Sequence, residues 1–280
     1  MLHSQLTINC RGKLLSLESP VVMGILNATP DSFFDGGKHA EVTAALHRCE
    51  AMLKEGAAII DVGGMSSRPG ADIIDEEEEL RRVLPVVEAI VREFPDTVIS
   101  IDTVRSVVAR ACVEAGASIV NDISAGRLDP EMYPTVAGLG VPYILMHMKG
   151  TPSDMQLDPE YDDVVQEVLD FLIAETGKLR SLGVKDIILD PGFGFGKTVD
   201  HNYQLLKNLQ VLKMLECPIL AGISRKSMIC KVLEVNPPAA LNGTTALHMV
   251  ALQQGAGILR VHDVKEAVEV IKLWQQLESV

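Results

Sequence analysis

Short apolar runs recur along the chain, and several of them follow a glycine that closes a helical stretch. In the first clear case Gly56 precedes residues 57–60 and then Asp61. The same sequence pattern, a glycine followed by a short apolar run and a polar residue, recurs after four more glycines: Gly116, Gly140, Gly183 and Gly255. Glycine suits the left-handed position that ends a helix. A short, continuous apolar run is typical of a parallel strand that is covered on both faces. The pattern therefore predicts a repeated unit of helix, turn and strand.

Three further runs, at residues 21–26, 98–101 and 219–223, bring the predicted strands to eight. Helical stretches separate them. Residues 76–79 are four consecutive glutamates, which suit the positive end of a helix dipole, and Asp263 with Glu266 resembles a capping box. Alternating strands and helices predict a parallel α/β sheet. Eight units favour a closed (β/α)8 TIM barrel over an open doubly wound sheet.

Composition limits the domain organisation and the kinds of partner. The 280 residues are 47% hydrophobic and 22% charged, and no linker or low-complexity tract divides them. We therefore expect one domain over residues 1–280 rather than disorder. The net charge of −13, with scattered basic residues, argues against nucleic acid or an anionic membrane as a partner. With no signal-like or membrane-spanning run, a cytoplasmic protein is expected.

The five cysteines are too widely spaced for CxxC metal sites. They stand at positions 10, 49, 112, 217 and 230. We interpret them as small apolar side chains in a reducing compartment.

Almost every predicted strand ends on a polar or charged side chain. These strand ends are Asn27, Asp61, Asp102–Thr103, Asn121–Asp122, His147, Asp190, Ser224–Arg225–Lys226 and Arg260–Val261–His262. In barrels of this kind the active site lies at the C-terminal ends of the strands. A single such residue is usually a cap or a solvated turn, but eight together need partners for their charge. The arrangement predicts a ligand at one shared mouth.

Carboxylates and cations are mixed at this mouth. The carboxylates are Asp61, Asp102 and Asp190, and the cations are Arg68, Lys197, Lys226 and Arg260. Arginine and lysine can hold phosphate oxygens, and carboxylates can accept from a donor-rich ring. The sequence thus points to a substrate with both a phosphate group and such a ring.

Three loops rich in glycine, proline, serine or aspartate follow predicted strands, at residues 29–37, 63–70 and 190–197. Phe33 and Phe34 lie in the first without helical or strand period, which suits a lid over a flat substrate. The third contains GxGxG, but its spacing fits neither a dinucleotide fingerprint nor a P-loop.

The histidines at positions 147, 201, 248 and 262 lack metal-ligand spacing, so hydrogen-bonding roles are favoured. Mg²⁺ carried in by a pyrophosphate needs few protein ligands. Asn27 is the candidate ligand.

Eight segments in order resemble the signatures of the dihydropteroate synthase family of pterin-binding enzymes. They are residues 24–33, 60–70, 101–103, 120–123, 145–152, 190–197, 224–227 and 260–264, within a match from about residue 21 to 270. The resemblance implies a TIM barrel that joins 6-hydroxymethyl-7,8-dihydropterin pyrophosphate to p-aminobenzoate, giving 7,8-dihydropteroate and pyrophosphate in folate biosynthesis. It also implies Mg²⁺ as cofactor, a homodimer, and a target of sulfonamides.

The resemblance further implies a role for each matching residue. The pterin positions are Asp102, Asn121, Met146, Asp190, Phe195 and Lys226. The p-aminobenzoate positions are Phe33, Ser67, Arg68, Pro69 and Ser227. The pyrophosphate positions are Asn27, Asp61, Arg68, Arg260 and His262, with Asn27 at the metal. The catalytic set is Asp102, Lys226, Arg260 and His262.

In the implied mechanism pyrophosphate leaves the pterin methylene carbon with help from Mg²⁺, Arg260 and His262. Asp102 is the candidate carboxylate that stabilises the resulting cation, which the aniline nitrogen then attacks. Met65 and Ser67 stand where the family often has Glu and Thr, and Ala28 replaces a common Val.

Three alternatives remain open at this point. One is a pterin-binding methyltransferase module that works with a corrinoid protein, and another is a non-catalytic pterin-binding paralogue. The third is an aldolase that forms a Schiff base through Lys226.

Overall fold

The structure, a computed structural model, describes residues 7–28, 37–65, 74–151, 155 and 159–280. Its strands are β1 (Thr7–Cys10), β2 (Lys13–Ser16), β3 (Val21–Asn27), β4 (Ile59–Gly63), β5 (Val98–Asp102), β6 (Ile119–Asp122), β7 (Tyr143–Met146), β8 (Ile187–Asp190), β9 (Leu220–Ala221) and β10 (Ile258–Val261). Its α-helices are α1 (Gly37–Glu55), α2 (Glu76–Glu93), α3 (Ser106–Ala115), α4 (Met132–Leu139), α5 (Val164–Ser181), α6 (Val199–Lys207), α7 (Ser227–Leu233), α8 (Leu241–Gln253) and α9 (Val264–Glu278). Short 3-10 helices span Leu209–Leu215 and Pro237–Ala240.

Eight parallel strands form the barrel in the order β8, β7, β6, β5, β4, β3, β10, β9. A parallel bridge between Leu189 and Ile219 joins the first strand of this order to the last. The Leu189 amide also donates to the Pro218 carbonyl at 2.8 Å. The predicted (β/α)8 barrel is confirmed, although β9 is shorter than the predicted run at residues 219–223.

Successive side chains on each strand face opposite sides, and this alternation separates two apolar clusters. Outward residues such as Ile60 and Val62 pack against the helices in the main core. Inward residues form a floor across the barrel: Met23, Ile59, Val98, Ile119, Ile144, Ile188, Leu220 and Ile258. Two residues further along the strands, the same inward face carries Asp61, Asn121, Met146, Asp190 and Arg260. The alternation of side chains along the strands therefore places apolar residues in the floor and mostly polar residues in the layer above it.

The hairpin of β1 and β2 closes the N-terminal end of the barrel, and the sequence analysis did not predict it. Ile8, Cys10 and Leu17 join the floor cluster. The turn is made by Arg11 and Gly12, both with positive φ. Its strands are only four residues long, and its turn lacks the Asn-Gly or Asp-Gly pair that signals a hairpin.

The predicted glycine positions are confirmed, because all five have positive φ: Gly56, Gly116, Gly140, Gly183 and Gly255. The predicted capping box at Asp263 is wrong. Asp263 is the N-cap residue of α9 but makes no side-chain cap bond. Its carboxylate instead accepts from Arg225 Nε and Nη2, at 2.7 and 2.8 Å. A charge-assisted bidentate pair displaces the weaker cap bond.

The five cysteines are free thiols, and four of them are buried, as expected for apolar packing. Across the described ranges, none of the helices combines the length and apolarity that crossing a bilayer requires.

Candidate active site

Arg260, on the inward face of β10, is the centre of a buried charge network. Its Nε donates to Asp61 Oδ2 at 2.7 Å, and its Nη2 donates to Asp102 Oδ2 at 2.7 Å. Asn121 Nδ2 also donates to Asp61 Oδ2, at 3.1 Å. The guanidinium thus joins three strands, and Asn121 adds a fourth through Asp61. Asp61 Oδ1 is buried and makes no hydrogen bond to the described residues.

The burial of this network perturbs its charges. Burial raises the pKa of the Asp102 carboxyl to about 7, although the Arg260 charge opposes the shift. Burial works to lower the pKa of Arg260, but the charges of Asp61 and Asp102 outweigh it and raise that pKa. A permanent cation therefore lies beside a carboxylate that can change its charge near neutral pH.

Lys226, in the loop after β9, and Asp190, at the end of the neighbouring β8, bring opposite buried charges near each other. The Lys226 ammonium donates to the Phe193 carbonyl and lies 4.5 Å from the centre of the Phe195 ring. Asp190 Oδ1 accepts from the Gly192 amide at 2.7 Å. Burial lowers the pKa of Lys226 to about 8 against the attraction of Asp190. Burial raises the pKa of Asp190, and the Lys226 charge opposes that rise.

An apolar wall stands beside these charged groups. It consists of Val104, Ile123, Met146, Met148, Met155 and Phe195, with Met65 packed against it. A polar layer with an apolar wall suits a flat ring that has hydrogen-bonding edges and an apolar face.

His262 follows β10 and is fixed by its neighbours. Ser224 Oγ lies 3.0 Å from His262 Nδ1 and accepts from the His262 amide at 3.2 Å. Arg48 Nη2 donates to the His262 carbonyl at 2.7 Å. The ring is thus held at the strand end beside Arg260. Ser227, by contrast, is exposed at the start of α7.

Lys197 was predicted as a cation of the mouth, and this was wrong. Its ammonium is enclosed by the carbonyls of Gly192 (2.9 Å), Phe195 (3.0 Å) and His147 (3.4 Å), with His147 Nδ1 at 2.9 Å. Burial lowers its pKa, which Asp190 opposes. Burial and the Lys197 charge lower the pKa of His147 to about 2, so the ring is neutral and its Nδ1 can accept. The predicted hydrogen-bonding role of His147 is confirmed.

Two further strand-end charges are also engaged within the protein. Asp122 accepts from the amides of Ser124 and Gly126 and from the Tyr143 hydroxyl, each at 2.7 Å. Arg225 is occupied by Asp263. These groups brace the loops that follow their strands.

The structure brings most predicted site residues to one end of the barrel: Asn27, Asp61, Asp102, Asn121, Met146, Asp190, Phe195, Lys226, Ser227, Arg260 and His262. Phe33, Ser67, Arg68 and Pro69 lie outside the described residues. Met146 and Phe195 of the apolar wall were predicted from the sequence, but the Phe193 carbonyl and the other wall residues, Val104, Ile123, Met148 and Met155, were not. A backbone acceptor leaves no residue-type signal, and the wall is contributed by residues far apart in sequence.

No cluster of three or more His, Cys, Asp or Glu side chains that could hold a metal occurs in the part of the chain that the structure describes. Oxygen donors are nevertheless present, in the half-buried Asn27 and in the unpartnered Asp61 Oδ1. This sparse oxygen set fits Mg²⁺ held largely by a phosphate-bearing substrate.

Residues 23–262 match the family described as "Pterin binding enzyme". The chain is 48% identical over 265 residues to the dihydropteroate synthase of Haemophilus influenzae, covering 94% of this chain and 96% of the relative. It superposes on the Xanthomonas albilineans dihydropteroate synthase with 4-aminobenzoic acid with a TM-score of 0.92 at 44% identity, covering 99% and 100% of the two chains. A structure of the Xanthomonas albilineans enzyme in complex with 7,8-dihydropteroate gives a TM-score of 0.88 at 42% identity, covering 98% and 99%.

Proposed function

The chain belongs to the pterin-binding enzymes as one of the dihydropteroate synthases, and from this membership we propose how its residues divide the reaction between two substrates. The reaction condenses 6-hydroxymethyl-7,8-dihydropterin pyrophosphate with p-aminobenzoate, giving 7,8-dihydropteroate and pyrophosphate. The observation that supports the assignment best is the convergence of acids, amide and bases from separate strands around Arg260.

The pterin ring occupies the inward layer above the barrel floor. The Asp102 and Asp190 carboxylates accept from N–H groups at the ring edges. Asn121 can accept or donate there, and Lys226 donates. Met146 and Phe195 cover the ring faces. Support comes from the buried position of these groups next to the apolar wall. A ring with several N–H donors compensates the buried carboxylates, which are costly to leave unpaired.

The pyrophosphate lies towards the ends of β3 and β10. Arg260, His262 and Asn27 hold it, and we assign Asp61 and Arg68 to the same substrate group. Asn27 would also supply an oxygen to Mg²⁺, and the bound metal would neutralise charge on the leaving group. Arg260 is suited to this position because its two carboxylate partners fix the guanidinium and keep it charged.

We assign p-aminobenzoate binding to Phe33, Ser67, Arg68, Pro69 and Ser227. The exposed side chain of Ser227, directly after Lys226, is consistent with a substrate that enters after the pterin. The Xanthomonas albilineans relative, crystallised with 4-aminobenzoic acid, supports the same choice of second substrate.

Catalysis in this proposal rests on positioning and electrostatics, with no protein nucleophile. Arg260 and His262 stabilise the charge that develops on the departing pyrophosphate. The C–O bond at the pterin methylene breaks, and the Asp102 carboxylate stabilises the cation. The aniline nitrogen then forms the new C–N bond and loses a proton. The Lys226 ammonium already donates to the Phe193 carbonyl, which supports a binding role over Schiff-base chemistry.

The family resemblance also leads us to propose a homodimer. Leu273 and Leu277 on α9 are exposed apolar side chains that a subunit interface would cover. Light scattering on the purified chain tests this. A mass of about 61 kDa, twice the 30.3 kDa of one chain, is expected, and a mass near 30.3 kDa overturns the dimer.

Turnover tests the proposed function directly. Purified protein is incubated with the pterin pyrophosphate, p-aminobenzoate and Mg²⁺, and both pyrophosphate release and 7,8-dihydropteroate are measured. Equal amounts of the two products are expected, with none when p-aminobenzoate is left out. Pyrophosphate release without dihydropteroate would show hydrolysis instead of condensation.

A further inference from the structure

Lys197 occupies an unusual position for a lysine, at the end of the loop that joins β8 to α6. Only 3% of the residue is exposed. Its ammonium faces three backbone carbonyls and the neutral ring of His147. The carbonyl oxygens are acceptors, and His147 Nδ1 is an acceptor when the ring proton is on Nε2. An ammonium has three N–H donors and no acceptor, so a surrounding of four acceptor atoms can satisfy all of its donors.

The loop packs directly against the loop after β7. A Cβ atom on Gly192 would lie 1.9 Å from the His147 carbonyl oxygen, and one on Gly196 would lie 2.2 Å from the Lys149 carbonyl oxygen. The Tyr161 hydroxyl donates to the Gly196 carbonyl at 2.7 Å from the outer side. Without Lys197, the inward carbonyls of Gly192 and Phe195 lose a donor at a position where no solvent reaches.

The opposite side of the same loop contacts the active-site charges. The Gly192 amide donates to Asp190, the Phe193 carbonyl accepts from Lys226, and the Phe195 ring lies beside the Lys226 ammonium. Gly192 and Phe195 therefore contact Lys197 through their carbonyls and the site through other atoms. Any displacement of these carbonyls is transmitted to Lys226 and Asp190 within one or two residues.

We propose that Lys197 is a positioning residue for pterin binding, which acts by holding the 190–197 loop so that Lys226 stands opposite Asp190. Lys197 touches no substrate in this proposal. The proposal rests on the pterin-binding roles of Lys226 and Asp190 given above. It adds that their placement depends on a buried cation that itself lies outside the site.

Three matched substitutions test the proposal: Lys197→Met, Lys226→Met and, as control, Lys149→Met. Lys149 is a neighbouring lysine whose ammonium lies on the Tyr161 ring and contacts Glu167 outside the loop. The dissociation constant of the pterin pyrophosphate is measured by calorimetry at a temperature where circular dichroism shows each variant folded. The KM for p-aminobenzoate is measured at saturating pterin pyrophosphate.

Lys197→Met is expected to raise the pterin dissociation constant by about tenfold or more, with the KM for p-aminobenzoate within about twofold of wild type. Lys149→Met is expected to leave both values unchanged. A purely structural role would lower the melting temperature of Lys197→Met but leave the pterin affinity of the folded protein unchanged. That result would overturn the proposal. If Lys197→Met does not fold, Lys197→Gln, which keeps an N–H donor, is measured with the same two outcomes.

Lys226→Met distinguishes this proposal from the assignment on which it rests. Weaker pterin binding in Lys226→Met but not in the Lys197 variant refutes the positioning role alone. Wild-type affinity in Lys226→Met refutes the pterin assignment of Lys226 and, with it, the proposal.

Discussion

The ionisable side chains of the site differ in how far neighbouring charges stabilise their charged forms. Arg260 is held by two carboxylates in direct ion pairs, while the Lys226 ammonium donates to a backbone carbonyl and feels the charges of Asp190 and Asp102 without a direct ion pair to either. Burial of Asp102 and Lys226 shifts their pKa values towards each other, to about 7 and about 8. The site therefore combines one cation of fixed charge with two groups that titrate near neutral pH.

Arg260→Ala should weaken both catalysis and folding. Loss of a charge-assisted contact to the pyrophosphate is expected to lower kcat/KM by about 10- to 150-fold. Because Asp61 and Asp102 are left as unpaired buried carboxylates, the free energy of unfolding is expected to fall by about 3–5 kcal/mol. Steady-state kinetics and urea unfolding measure the two effects. Arg92→Ala, at an exposed ion pair with Glu93, is the control and should change stability by less than about 1 kcal/mol. Unchanged kcat/KM in Arg260→Ala would remove Arg260 from the site.

The pH dependence of kcat/KM for the pterin substrate should be bell-shaped. Activity is expected to rise as Asp102 ionises, with a limb near pH 7, and to fall as Lys226 loses its proton, with a limb near pH 8. Asp102→Asn should remove the acidic limb. A profile that is flat between pH 6 and 9, about one unit beyond each limb, would contradict these assignments.

The raised Asp102 pKa also has a consequence for stability. Between its unperturbed value of 3.8 and about 7, the folded state binds more protons at this site than the unfolded state. The Asp102 contribution to the free energy of unfolding is therefore present at low pH and declines as pH rises through this window. The difference between wild type and Asp102→Asn in urea unfolding at pH 5 and pH 8 measures it.

The sequence predicted charges at the strand ends but not their partners. Asp61, Asp102 and Arg260 are far apart in the chain, and only barrel closure brings them together. Lys197 shows the limit most clearly, because it was predicted as a cation of the mouth, whereas its ammonium is enclosed by backbone carbonyls. Side-chain direction after a glycine-rich turn is set by backbone angles that residue type alone does not specify.

At the scale of elements, the loop between β8 and α6 is the most constrained connection at the site. Gly192, Gly194 and Gly196 all have positive φ. A Cβ atom on Gly192 or on Gly196 would overlap a carbonyl oxygen in the loop after β7. Glycine is required there for conformation and for space.

Gly192→Ala should displace this loop and raise the pterin dissociation constant by about tenfold or more. The added Cβ would lie 1.9 Å from the His147 carbonyl oxygen, at a φ of 70° that side chains disfavour. Gly177→Ala is the control, since Gly177 lies within α5 and a Cβ there meets nothing within 4 Å. It should raise the free energy of unfolding by about 0.5–1 kcal/mol. Equal pterin affinity in both variants would show that the loop position does not govern binding.

Elements with a strong local pattern were predicted well, and those made by tertiary contacts were not. All eight barrel strands follow the apolar runs, because a strand buried on both faces must be apolar throughout. The β1–β2 hairpin lacks such a signal, since it is stabilised by docking on the floor of the barrel. Asp263 was predicted as a cap, but a distant arginine competes for it.

At the scale of the whole molecule, the barrel separates stability from function along its axis. The floor cluster and the hairpin lie at the N-terminal end, and the polar layer lies at the C-terminal end. Mutations in the floor should therefore change stability and leave the chemistry of the folded protein intact.

Ile8→Ala tests this separation. Ile8 is fully buried in the floor, so its truncation should lower the free energy of unfolding by about 2–5 kcal/mol. Leu14→Ala, in the same hairpin but 73% exposed, should change it by less than about 0.5 kcal/mol. Both should keep wild-type kcat when rates are expressed per folded molecule. A fall in kcat for folded Ile8→Ala would show that the two ends are coupled.

The affinity of Asp190→Asn for the pterin pyrophosphate tests the proposal that residues from separate strands bind one pterin in the polar layer. Asparagine can still accept from the Gly192 amide, but its NH₂ group replaces an acceptor that faces the ring. Calorimetry is expected to show a dissociation constant raised by about 10- to 150-fold, with the circular dichroism spectrum unchanged. A wild-type dissociation constant in the folded variant would show that Asp190 does not bind the pterin ring.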